Sequence, residues 1–184
     1  MNFSELTGRL LLATPSMHDP NFSDGVVLLC HHDEHGSMGL LVNRPQDITV
    51  GSVLEDMQLT EKHDSEQVVF EGGPVEPFRG FVLHDGWQVY DSTLVVTPEL
   101  HLTTSKDILE EIAYDAGPEH FMLILGYAGW DAGQLEEEIQ RNDWLVAPAS
   151  HDLLFHVPAE SRWMLGAQSM GVDRAQLSSQ VGHA

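Results

Sequence analysis

"GVVLLCHHDEHGSMGLLVN", residues 25–43, reads as two apolar runs joined by a polar turn. The runs "GVVLLCHH" and "SMGLLVN" flank "DEHG", whose Gly36 suits a hairpin turn. "VVLLC" is then a buried strand emerging into solvent, and the hairpin makes the first half of the chain a β structure. Upstream, "RLLLAT" (9–14) predicts a strand stopped by Pro15, and residues 16–24, with Pro20 and two aspartates, predict an ordered loop. Downstream, Arg44-Pro45 is expected to end the second hairpin strand. A short helix is expected at 50–57, with strands at 67–71, 79–84 and 93–97 and one more near Leu100.

Helices enter in the second half. "TSKD" predicts a helix start with Thr104 as N-cap and Asp107 at the capping-box position. Ile108, Leu109, Ile112 and Ala113 form its buried stripe, and Gly117-Pro118 stops it. "HFMLILGY" reads as a buried strand leading into "AGWDAGQLEEEIQRN", where Asp131 is the expected cap and Gln134 its box partner. Glu136, Glu137 and Glu138 read as a solvated helix face, favourable near the N-terminus. "WLVAPAS" is strand-like, "LLFHV" is strand or helix, and 160–170 is the last helix, stopped by Gly171. Strands first and helices interspersed later suit an α+β domain better than a regular βαβ sheet. With 184 residues and no repeat or linker, one domain over 1–172 is expected, followed by a polar tail at 173–184.

The opening stretch also holds His31, His32, His35, Asp33, Glu34 and the only cysteine, Cys30. A metal site or a reactive thiol are the chemical readings. Side chains alternate along a strand, so Cys30 and His32 share one face and His31 takes the other. His32 and His35 flank the turn and, with Asp33 or Glu34, would make only a loose, exposed cation site. Nothing marks an oxyanion hole for a Cys30–His pair. The architectural reading leads, with no metal and no cofactor expected.

Eight basic residues against 29 acids give a net charge of −21. A DNA-binding surface replaces condensed counterions with Lys and Arg, so direct nucleic-acid binding is disfavoured. No apolar run approaches the roughly 20 residues of a membrane span. An acid in the n-region argues against a secretory signal, and one cysteine makes no internal disulfide, so the cytoplasm is expected. Neither lysine follows a glycine, which excludes a P-loop. Gly126, Gly129 and Gly133 lie between a strand and a helix but lack the dinucleotide-binding spacing. No G-x-S-x-G or H-E-x-x-H is present, and a lone cysteine excludes cysteine-rich zinc sites.

Four blocks, "RLLLATPSMHDPNF", "VVLLCHHDEHGSMGLLVNRP", "FEGGPVEPFRGFVLH" and "LGYAGWDAGQLEEEIQRNDWLVAPASHDLLF", together resemble the bacterial YqgE/AlgH family over about 8–173. The resemblance implies a single α+β domain whose mixed, largely antiparallel bifurcated sheet forms a pseudo-barrel with flanking helices. It also implies a cytosolic protein without an agreed activity. Some relatives carry a transcriptional-regulator label through a link to alginate production, which says nothing about touching DNA. In the family pattern a glutamate is more usual at the His31–His32 position, which further weakens a metal role there.

The residues singled out for ligand or partner binding are Asp19, Phe22, Asn43, Arg44, Gly72, Gly73, Arg79, Gly129, Trp130 and Gln134. Asp19 and Phe22 sit in the "HDPNF" loop, with a capped turn and a core-filling Phe22 as the alternative. Arg44, after Asn43, and Arg79, after "GGPVEP", are candidate anion forks or internal ion pairs. Gly72-Gly73 is a turn needing positive φ, or a place for a ligand to approach backbone. Gly129, Trp130 and Gln134 surround a helix start that can hold an anion, unless Asp131 occupies the donors.

The leading expectation is a non-catalytic cytosolic module that binds another protein in a regulatory setting. The alternative is an enzyme or small-anion or metabolite binder with a pocket where Arg44, Arg79 and Trp130 converge.

Overall fold

β2 (Val26–Asp33) and β3 (Gly36–Leu41) form the expected hairpin, antiparallel from Val27–Leu41 to Asp33–Gly36, with a register shift between Leu29 and His31. The computed structural model of the chain describes residues 3–59 and 65–171. The expected tail at 173–184 and Lys62 lie outside them. β1 (Arg9–Ala13) pairs with β2 on one side and with β10 (Trp144–Pro148) on the other. The remaining strands are β4 (Pro45–Thr49), β5 (Val68–Glu71), β6 (Val75–His84), β7 (Thr93–Thr97), β8 (Leu100–Thr103) and β9 (Phe121–Asp131). They complete one sheet in the order β10-β1-β2-β3-β9-β6-β8-β7, with β4 and β5 branching from it.

The branch point is β9. Its second half pairs with β3 from Ala128 to Asp131, and its first half with β6 from Phe121 to Leu125. β5 also lies against Ile124 and Leu125, in the one parallel pairing of the described sheet. The result is a single α+β domain in which a curled, mainly antiparallel sheet forms a half-barrel with, among the described residues, five α-helices: α1 (Val50–Asp56), α2 (Asp107–Ala113), α3 (Gln134–Gln140), α4 (His151–Phe155) and α5 (Arg162–Gln168).

Both faces of the hairpin are covered, which explains its unbroken apolar runs. Leu10, Leu12, Val26, Leu28, Cys30 and Leu40 enter one core with Trp163 and Leu154; Leu11, Val27, Leu29 and Leu41 enter another with Leu135 and Trp144. A third core packs Leu54 of α1 and Ile108 and Ile112 of α2 against β6 and β9.

Several local expectations are corrected. The second hairpin strand does end before Arg44-Pro45, but the chain does not leave the sheet there: Pro45 opens β4, whose outer edge needs no proline N–H. β6 starts at Val75, ahead of the expected 79, because its register with β9 slips between Val75 and Gly80 and the slipped stretch accommodates Pro77. Thr104 does not cap α2. It bonds to Ser92, and the helix begins at Asp107 after a capping Lys106 that makes no side-chain bond. The first three residues of "LLFHV" are helical, closing α4, which Ser150 starts with its Oγ accepting from Leu153 N. No helix among the described residues is long and apolar enough to cross a membrane.

Candidate functional site

The fork in β9 depends on a close backbone approach. Gly72 N donates to Leu125 O, and Leu41 N donates to Gly72 O, so the Gly72–Gly73 segment threads between β3 and β9. A Cβ on Gly72 would lie 2.2 Å from Gly126 O, and one on Gly73 would lie 2.2 Å from Tyr127 C. Gly126 itself adopts φ 80° in mid-strand. "GGP" and "LGY" are therefore two sides of one contact, and it is β9, a strand of this chain, that approaches the glycines.

That contact aims Tyr127 and Arg79 into a cleft of about 520 Å³. Met38, Phe81, Tyr127 and Leu102 give it an apolar floor, and Asp91, Ser92, Thr93, Leu94 and Thr104 line its other side. The Arg79 guanidinium stands 5.2 Å from the Phe81 ring centre and 6.0 Å from that of Tyr127, and bonds to Glu76 at 3.2 Å. Its side chain is half exposed.

Arg44 is engaged elsewhere. Its Nη1 donates to Asn21 O at 2.5 Å and its Nη2 to Ser23 O at 2.8 Å. Asn43 completes this clamp, accepting from Val26 N at 2.9 Å and donating to Asp24 O at 3.0 Å. Asp19 accepts from Asn21 N, closing a local turn. Phe22 then stacks on Trp130 with centroids 6.0 Å apart and meets Trp144 edge-on at 5.7 Å. Arg44 thus holds the shape of the 20–23 loop by donating to its carbonyls.

Trp130 is buried, and its Nε1 donates to Glu138 Oε1 at 3.3 Å. Trp144 Nε1 donates to the same oxygen at 3.2 Å, and Gln134 Nε2 to Oε2 at 3.1 Å. Glu138, expected on a solvated face, is thus a buried acceptor for two indoles. The cap expectation is corrected as well: Gly133 precedes α3, and Gln134 Oε1 accepts from Asp131 N, the half of a capping box that needs no cap side chain. Gly129 pairs with Met38 across the sheet and is exposed. Tyr127 and Trp130 serve different cores on opposite faces of β9. Arg44, Arg79 and Trp130 therefore do not converge, and Arg79 alone of the three lines the cleft.

The hairpin histidines scatter too. The His32 side chain is held between Ser37 Oγ and Glu136 Oε1 and largely covered, while His31 pairs with Asp33 and His35 with Glu34 at the surface. Cys30 is in the core, where burial pushes its thiol up to about 12, so it is no nucleophile at neutral pH.

Sequence reasoning missed a second histidine group. Asp85, just after β6, accepts from His120 N at 3.0 Å, and its own N–H donates to His120 O at 3.1 Å. Asp85 Oδ2 lies 2.6 Å from His120 Nδ1 and 2.9 Å from His151 Nε2. Burial raises the Asp85 carboxyl, but the bonds from His151 and His120 outweigh it and hold the group below its ordinary range. His156 closes the group, its ring 4.7 Å from that of His120 and 5.4 Å from that of His151. Only sheet pairing brings the 85 and 120 positions together, so no local spacing could have announced them.

Known proteins agree with this architecture. The AlgH-like family model (DUF179) matches residues 10–175. A UPF0301 protein of Ralstonia nicotianae is 49% identical over 97% of this chain and 95% of its own length. One from Xanthomonas axonopodis is 48% identical over 97% and 96%. The solution structure of AlgH from Pseudomonas aeruginosa superposes with a TM-score of 0.81 at 42% identity, covering 100% of this chain and 98% of that one. A Corynebacterium diphtheriae protein superposes at 0.73 with 25% identity over 91% and 89%. The forked sheet, its glycine contact and these full-length matches place the chain in the AlgH-like family.

Proposed function

We propose that the protein works by binding a segment of another protein in the Arg79–Tyr127 cleft, and that any regulatory effect runs through that partner. One observation carries the reading: the cleft opens beside β7, the strand that ends the sheet order. Among the described residues β7 pairs only with β8, at the end of the sheet. An edge of this kind offers backbone groups to an added strand, while a neighbouring pocket takes its side chains. Leu94 lines the cleft and Val95 is 58% exposed on the same strand. On the loop leading into it, Trp87 is 88% and Val89 76% exposed. Large apolar side chains so presented mark contact surfaces.

The same geometry disfavours a small anion. Ser92 and Thr104 bond each other, Thr93 Oγ1 accepts from Tyr90 N and bonds to Thr103, and Arg79 is paired with Glu76. What remains is apolar surface, with Arg79 at its rim and the acidic Asp91 on its lining, which would repel an anion. The −21 charge favours a protein partner over DNA. The proposal places the protein in the cytoplasm, in keeping with a lone buried thiol.

A photo-crosslinking residue at Leu94 or Val95, in the host cell, tests this. One discrete protein adduct is expected from both positions, absent from a probe at Glu137 on α3 and weakened by Arg79→Glu. Equal capture from all three positions would refute the reading. Native mass spectra showing a retained metabolite, lost in Arg79→Ala, would replace it with a ligand-binding role.

A further inference from the structure

We propose that His120, His151 and His156 bind one divalent ion of the zinc, cobalt or nickel class, with Asp85 as the carboxylate that orients two of the rings. The three residues each bring one ring nitrogen to within 4.8 Å of the others. Zn–N bonds of about 2.0–2.1 Å place tetrahedral nitrogens about 3.3 Å apart, so closure needs at most about 1.5 Å of approach per pair. Side-chain rotation supplies this: His156 is exposed and His120 and His151 are only partly covered.

The supports around the rings go beyond chance proximity. Asp85 is tied to His120 through both backbone and side chain. With His120 Nδ1–H and His151 Nε2–H donating to Asp85, the lone pairs fall on His120 Nε2 and His151 Nδ1. A carboxylate fixing the ring orientation and tautomer of a ligating histidine is the common outer-shell arrangement at metal sites. Phe155 packs against His120 and His151 at 5.9 and 4.9 Å, giving the rings an apolar wall. His120 also lines a cleft of about 300 Å³ with Phe155 and Arg162, so solvent reaches the site. Imidazole donors select borderline transition metals over Mg²⁺ or Ca²⁺, and three of them leave a fourth position for water. These residues are separate from the Arg79 cleft, so either proposal can fail alone.

The test titrates the chelator-treated full chain with Co²⁺, read by visible absorption and by native mass spectrometry. One ion per chain is expected, with tetrahedral-type bands. His120→Gln or His156→Gln should abolish the bands, and Asp85→Asn should weaken binding by about 10- to 100-fold. A His31→Gln/His35→Gln variant should bind as the parent does, and urea unfolding confirms that each variant is folded. Zn²⁺ should raise the unfolding temperature of the parent but not of His156→Gln. Absence of a stoichiometric ion, or undiminished binding in a folded His120→Gln/His156→Gln variant, would overturn the proposal. In that case the group is an Asp85-neutralised surface cluster.

Discussion

Two groups of histidines in this protein invert the usual guide that neighbours in sequence act together. His31, His32 and His35 lie within five residues and scatter, each to its own acid: Asp33, Glu136 and Glu34. His120, His151 and His156 are spread over two connections and one helix end, and gather around Asp85. Strand alternation and a polar turn drive the first group apart. Antiparallel pairing of β6 with β9, which sets His84 against Phe121, assembles the second. The hairpin group should matter to stability and not to metal binding, and the gathered group the reverse.

The largest expected effect tests the hairpin side, where α3 packs behind β2 and β3. Glu138→Ala leaves the Trp130 and Trp144 N–H groups unpaired in the core, and should cost about 3 kcal/mol in urea unfolding while Co²⁺ binding persists. His32→Ala removes bonds to Ser37 and Glu136 from a side chain only 7% exposed, and should cost about 1–2 kcal/mol. Loss of metal binding in either folded variant would break the contrast.

A pH effect sharpens it. His84 lies at the end of β6, fully buried beside His101, Tyr90 and Thr103, with Asp85 O on its Nδ1. Burial lowers its affinity for a proton, only partly opposed by the Asp85 carbonyl. The unfolded chain therefore takes up a proton first, so this contribution is whole above the ordinary value of 6.5 and is lost as pH falls from there to the folded value. Urea midpoints should drop between pH 7.5 and pH 5.5, and His84→Gln should shrink the drop. A parent midpoint that is flat or rises on acidification would contradict this account. The smallest expected effect is on stability in His156→Gln: an unchanged urea midpoint at neutral pH without metal. A large loss would make His156 structural and remove the contrast from the other side.

The two singled-out arginines teach the same lesson on a smaller scale. In sequence, Arg44 and Arg79 look equivalent, each a rare base near a proline or a glycine turn. Arg44 is spent on the carbonyls of its neighbouring loop, whereas Arg79 stands over two aromatic rings at a cleft rim. Which carbonyls or rings an arginine meets depends on chain segments that no local pattern names.

What the sequence determined by itself follows from local chemistry. Apolar runs bounded by Gly and Pro placed the hairpin, β1, β7 and most of β9, and charge disfavoured a DNA surface. The paired blocks around "GGPV" and "GYAGW" placed the family. Tertiary structure decided the rest, because it depends on which strand edges meet. The fork at β9 made the glycines a backbone crossing. Burial turned Glu138 from a surface charge into the acceptor for two indoles. Long-range pairing, whose register is set by packing over the whole sheet, brought Asp85 and three distant histidines to one point.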